Sequence, residues 1–147
     1  MIEVGKIEDV DRMVELGALM HAESDYRSIP YDRYKVSALL RRLMTQDGVV
    51  FVVRQGGEIV GGIAGGVTEY WFSEEKVGYE HALFMRPDTR NGIMAIRLIK
   101  ALKAWCKLQG AKELRMGITT GVHVEATARL YRSQGAKDAG LFFVMEL

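Results

Sequence analysis

The residues of this chain best suited to chemistry lie in FMRPDTRNGIMAIRLI, residues 84–99. A strand-like run ends at Met85, Pro87 starts a turn, and a helical pattern opens just after Arg90. The first amides of a helix have no partner within it, and the helix dipole places partial positive charge at the same end. An anion such as a phosphate group is favoured there, and the Arg90 guanidinium can add a charge-assisted, bidentate contact. The same residues also describe a plain strand-to-helix turn with a solvated arginine. The segment alone does not choose between the two readings.

Other chemistries find less support. The pairs Gly56-Gly57, Gly61-Gly62 and Gly65-Gly66 lack the spacing of a dinucleotide fingerprint, and no Gly-Lys-Ser/Thr follows for a P-loop. They read instead as a hairpin turn and as strand glycines that mark a bulge or a close approach. The histidines His21, His81 and His123 have no metal-ligand spacing, and one cysteine, Cys106, does not supply it; no metal site is expected. No Gly-x-Ser-x-Gly elbow is present. Cys106 sits mid-helix and reads as core.

These residues must be positioned by 147 residues, 48% apolar and 27% charged, with net charge +1. That length suits one domain over 1–147 with one core. The balanced charge gives no reason to expect a nucleic-acid or membrane-surface partner. A lone cysteine and the absence of a long apolar run fit a cytoplasmic protein.

Along the chain, MIEV is a short strand. Two amphipathic helices follow, the second capped by Asp32. VVFVV, the turn RQGGE and IVGGIAGGV form a hairpin. VGYEHALFM is the next strand, NGIMAIRLIKALKAWCKLQG the longest helix, KELRMGI a strand, VEATARLYRSQG a helix and LFFVMEL a closing strand. The predicted order is β-α-α-β-β-β-α-β-α-β, a mixed α/β (α+β-like) sheet. Its strands near 79–86 and 113–118 flank the long helix and should be parallel, with a right-handed connection. The rest should be mostly antiparallel.

This order, together with LFMRPDTRNGIMAIRLI, ATARLYRSQGA and LFFVMEL, resembles the GNAT-type N-acetyltransferases, which use acetyl-CoA. The likeness covers essentially the whole chain and is strongest over 80–135. Arg90 matches the leading Arg of the family's cofactor motif, Ala95 its final small residue, and Leu98-Ile99 its apolar pair. Ile93 stands where the motif has its central Gly, with Asn91-Gly92 placing a Gly one residue earlier. The family's Asn before the late helix is replaced in the region of His123 and Val124.

The resemblance implies a GNAT-like fold with the parallel pair splayed apart. Pantetheine would pair along Leu83, Phe84 and Met85, and the pyrophosphate would fall on Arg90, Asn91, Gly92, Ile93, Met94 and Ala95. Arg97 or Lys100 would reach the outer phosphates. The implied reaction moves an acetyl group from acetyl-CoA, the co-substrate, to a primary amine by direct attack in a ternary complex. Tyr131 matches the family's general acid, and Glu80 is the candidate base. A regular strand would turn His81 to the opposite face, and His123 is an alternative base. The acceptor would lie between the first two helices and the sheet, bordered by SDYRSIPYDRY and TEYWFSEEKVGYE, where Asp25, Glu74 and Glu75 suit a cationic amine. The altered motif also fits another reading, a CoA-binding regulatory module with little catalysis. An exposed final strand could pair in a homodimer.

Overall fold

Alternation in the β-branched run builds the centre of the molecule. Val50 and Val52 face one side of the sheet, Val49 and Val53 the other, and all four are buried. The computed structural model describes residues 1–89 and 92–147. Its elements are β1 (Ile2–Val4), α1 (Val10–Glu23), α2 (Arg33–Arg42), β2 (Gly48–Gln55), β3 (Glu58–Glu69), β4 (Lys76–Met85), α3 (Gly92–Leu108), β5 (Ala111–Arg115) and α4 (Val124–Ser133). The Asp32 carboxylate accepts the Lys35 amide at 3.0 Å and caps α2. Gly56 and Gly57, both at positive φ (59° and 84°), close the β2–β3 hairpin.

The five strands lie in the order β1-β2-β3-β4-β5, antiparallel except for the parallel β4–β5 pair. The sheet thus divides two cores. On one face Val10, Met13, Leu16, Leu40 and Leu43 of the first helical layer meet Val50, Val52 and Phe84. On the other, Leu98, Ile99, Leu102 and Cys106 of α3 meet Val49, Val53 and Ile63, with Tyr131 of α4 beside them. Burial of each large aliphatic side chain stabilises the fold by roughly 1.5–3 kcal/mol. The β3 glycines serve this packing. A Cβ on Gly65 would strike the Tyr79 carbonyl and press on Leu102, so only glycine lets β4 and α3 close on β3 there. Cys106 is buried against Gly78, and burial pushes its thiol pKa up.

One expected element is missing. Residues 141–147 form no strand and join no sheet; the closing strand predicted from LFFVMEL is corrected to an exposed segment without regular structure. Strand propensity gives a chain that can pair, but a strand exists only where a neighbouring edge takes its hydrogen bonds, and in this single chain no edge does so. Among the described residues no helix is long and apolar enough to cross a membrane.

Candidate active site

Two strands that start together and then part create the site. β4 and β5 share the parallel register Lys76↔Ala111, Gly78↔Leu114 and Tyr79↔Arg115, where their pairing ends. β4 runs on to Met85 while the chain after Arg115 leaves the sheet. Between them opens a cavity of about 610 Å³, floored by Leu83, Phe84 and Met85. Gly92 and Ala95 at the start of α3 form one end, Thr119 and Thr120 one wall, and Leu130 and Tyr131 of α4 the other.

A bulge aims the titratable groups. Ala64 pairs with Ala82 and Gly65 with Glu80, so His81 is an extra residue with no partner on β3. Cross-strand partners point to the same face, so Glu80 follows Gly65 towards α3 and α4. There the Tyr131 hydroxyl donates to Glu80 Oε2 at 2.5 Å. His81 and Glu80 both line the cavity, from opposite faces of β4: His81 packs on Tyr79 at 4.9 Å on the side of Arg42 and Asp47, while Glu80 faces Tyr131.

Burial dominates the electrostatics. Desolvation raises the Glu80 carboxyl to a pKa of about 7, opposed by the hydrogen bond from Tyr131. The Tyr131 hydroxyl is pushed above its usual range, first by burial, then by the Glu80 charge and the bond to it. Desolvation lowers the pKa of His81, which favours the neutral imidazole. His123, at the head of α4, holds a left-handed conformation (φ 47°, ψ 45°) and also lines the cavity. Such backbone is uncommon outside glycine and concentrates at functional sites. A carboxyl poised near neutrality, bonded to a phenol in an apolar cleft, is equipped to accept and return a proton.

The family model described as Acetyltransferase (GNAT) family matches residues 16–136. The chain belongs to the GNAT acetyltransferase family. It is an acyl-CoA-dependent N-acetyltransferase, and acetyl-CoA is the co-substrate that this family uses. Among solved structures, it is similar to the aminoglycoside acetyltransferase meta-AAC0020 from an uncultured soil metagenomic sample, at 27% identity and TM-score 0.73, covering 100% of this chain and 95% of that one. It is also similar to the aminoglycoside acetyltransferase HMB0005, again from an uncultured soil metagenomic sample (22% identity, TM-score 0.74, coverage 100% and 97%). A third is the ribosomal-protein-alanine N-acetyltransferase from Brucella melitensis biovar Abortus 2308 (17% identity, TM-score 0.75, coverage 100% and 98%). These last two likenesses concern the fold. A comparison with curated proteins finds no match.

Within this GNAT chain, the residues singled out from sequence fall into three groups. Glu80, Tyr131, Leu83, Phe84, Met85, Gly92 and Ala95 converge on the cavity. Ile93 stands 64% exposed outside its lining, and Met94 packs half-buried against the α3 core. Arg90 and Asn91 lie outside the described residues.

The acceptor border needs revision. Within TEYWFSEEKVGYE the one acid in the cavity lining is Glu80; Glu74 and Glu75 are not part of it, and Glu75 faces Lys112 at 3.7 Å near the start of β5. Asp25 is closer, its amide bonded to the Thr120 carbonyl at 2.7 Å and its carboxylate against Gly121. The lining residues that sequence reasoning passed over include Glu23, at the end of α1, and Thr119 and Thr120. No motif marks them, because the topology alone brings the end of α1 against the loop after β5.

Proposed function

We propose that this domain binds acetyl-CoA between β4 and β5 and transfers its acetyl group directly to a primary amine in a ternary complex. The observation that carries the reading is the Tyr131–Glu80 hydrogen bond at the point where the strands part. The free edge of β4 at Leu83, Phe84 and Met85 suits pantetheine as a partial added strand. Amides at the start of α3, over 92–95, with Arg90 and Asn91 before them, suit the pyrophosphate. A Cβ at Gly92 meets no atom within 4 Å, which leaves room for that group.

In the proposed reaction the amine nitrogen attacks the thioester carbonyl carbon, the new C–N bond forms and the C–S bond breaks. Glu80 takes the proton lost by the amine, and Tyr131 gives its proton to the departing sulfur. The hydrogen bond between them then returns the proton from Glu80 to the Tyr131 oxygen. The net transfer is one proton from amine to thiol, with no covalent enzyme species. An amine of pKa about 10 is mostly protonated at neutral pH, which is why a base helps.

The acceptor we favour is a small cationic amine. Glu23 and Glu80 border one cavity, and a neighbour at 27% identity is an aminoglycoside acetyltransferase. The proposed setting is the cytoplasm. Calorimetric titration with acetyl-CoA, followed by thiol release across aminoglycosides, amino acids and peptide N-termini, tests the reading. Absence of binding at millimolar acetyl-CoA overturns it. Binding with no thiol release favours the CoA-binding regulatory module instead.

A further inference from the structure

The relay between Glu80 and Tyr131 moves one proton, from the attacking amine to the sulfur, and it starts from a neutral amine. An alkylamine of pKa about 10 arrives at neutral pH as an ammonium. Acylation therefore strips two protons from nitrogen, and the relay disposes of one. The other needs a base that meets the acceptor before the thioester does and sheds its proton to water. We propose that His81 is that base: it takes the ammonium proton of the acceptor and releases it to solvent before Glu80 and Tyr131 act. The step presupposes the transfer reaction proposed above.

Its placement comes from the two faces of β4. Glu80 lies on the side of α3 and α4, bonded to Tyr131, and that side carries Gly92 and Ala95 at the cofactor end of the cavity. His81 lies on the side of the first helical layer. Its ring meets that of Tyr79 edge-on at 4.9 Å, and a Cβ on Gly66 would strike both the Tyr79 hydroxyl and the Asp47 carbonyl beyond α2. Met20 and Glu23 of α1 line the cavity as well. Among the described residues β4 and β5 do not pair beyond Tyr79 and Arg115, so the cavity passes between the strands from one face of the sheet to the other. With the cofactor on the α3 side, an acceptor enters from the α1 side and reaches the imidazole first.

The surroundings suit the task. Burial lowers the pKa of His81, the Arg42 charge adds to this and the Asp47 charge opposes it, so the imidazole is neutral at neutral pH. Arg42 and Asp47 pair with each other at 3.6 Å. Tyr79 is the neighbouring titratable group on its own strand, and Glu23, Glu80, His123, Arg129 and Tyr131 share its cavity. His81 is exposed where Glu80 is half-buried, so a proton on its ring has a direct path to water. In the step an N–H bond of the ammonium breaks and its electron pair stays on nitrogen for the attack. The proton moves to the free imidazole nitrogen and then to water. Overall one proton goes to solvent and one ends on sulfur.

His81→Gln keeps a polar side chain and takes up no proton. Thiol release is measured across pH with two acceptors: kanamycin, whose amines enter as ammonium groups, and methoxyamine, which is uncharged at neutral pH. With kanamycin the variant should lose about 10²-fold at neutral pH. Its rate should then climb about tenfold per pH unit while the amine remains protonated, whereas the parent should level off once Glu80 is ionised, above about 7. The loss should be much smaller with methoxyamine, corrected for the uncatalysed reaction. Circular dichroism and calorimetric acetyl-CoA binding of the variant should match the parent, and His81→Asn should behave as His81→Gln. A kanamycin profile that both variants share with the parent overturns the proposal. An equal loss with both acceptors overturns it too, since that marks a merely structural role. A parent that releases no thiol with either acceptor overturns the transfer reading itself, and this step with it.

Discussion

Glu80 and Tyr131 are separated by 51 positions in sequence and joined by one hydrogen bond. Each type was legible through its motif, but the bond was not. It depends on the pairing of Glu80 with Gly65 beside a bulge in β4, and the bulge leaves no trace in composition or periodicity. The bond has a kinetic consequence. Tyr131 lowers the pKa of Glu80 against the upward push of burial. Tyr131→Phe should therefore reduce kcat by about 10²–10³ and shift the acid limb of the pH–rate profile above about 7, with the acetyl-CoA KM nearly unchanged. Stopped thiol-release assays across pH would read both effects.

The same carboxyl links activity to stability. Its folded pKa, about 7, lies above the ordinary 4.5. The folded state therefore holds a proton that the unfolded state has lost between those values, and stability falls as pH rises through that window. The stabilising contribution is complete below about 4.5 and gone above about 7. Glu80→Gln carries no such charge. Its melting temperature relative to the parent should be higher at pH of about 8 than at about 5, measured by scanning calorimetry, although transfer is impaired.

At the level of elements, the sequence was most readable where local chemistry decides. The Gly56-Gly57 turn and the Asp32 cap fix their own backbone, and the spacing of Leu98, Ile99 and Leu102 fixes the buried face of α3. It was least readable where pairing decides, as for 141–147, whose state depends on an edge elsewhere. The start of α3 offers a test in which two effects of one substitution oppose each other. Gly92 has an ordinary φ and open space around it. Gly92→Asp should leave the fold unharmed or raise its stability by about 0.3–1 kcal/mol, because a carboxylate suits a helix N-terminus. The same charge should repel the phosphates and weaken acetyl-CoA binding by about tenfold. Calorimetric titration and thermal melting on one preparation would separate the two.

Over the whole molecule, the cavity is bounded by α1, β4, α3, the loop after β5 and α4, so a ligand there ties together elements from both cores. Acetyl-CoA at about 100 times its dissociation constant should add about 2.7 kcal/mol to stability. For a chain of this size that corresponds to a rise in Tm of roughly 5–11 °C by thermal shift. Fold class was open to sequence reasoning because two periodicities and a parallel crossover suffice to specify it. The acceptor end of the cavity was not, because Glu23 and Thr120 meet only through tertiary packing.

The bulge at His81 gives β4 a change of parity. Towards Met85 the strand keeps one assignment of odd and even positions to the two faces, and towards Lys76 it keeps the reverse. Loss of this single residue would restore a uniform count and leave Glu80 opposite Gly65, on the face of Tyr131. The proposed catalytic pair therefore tolerates a change of length at a position whose own side chain plays no part in that pair.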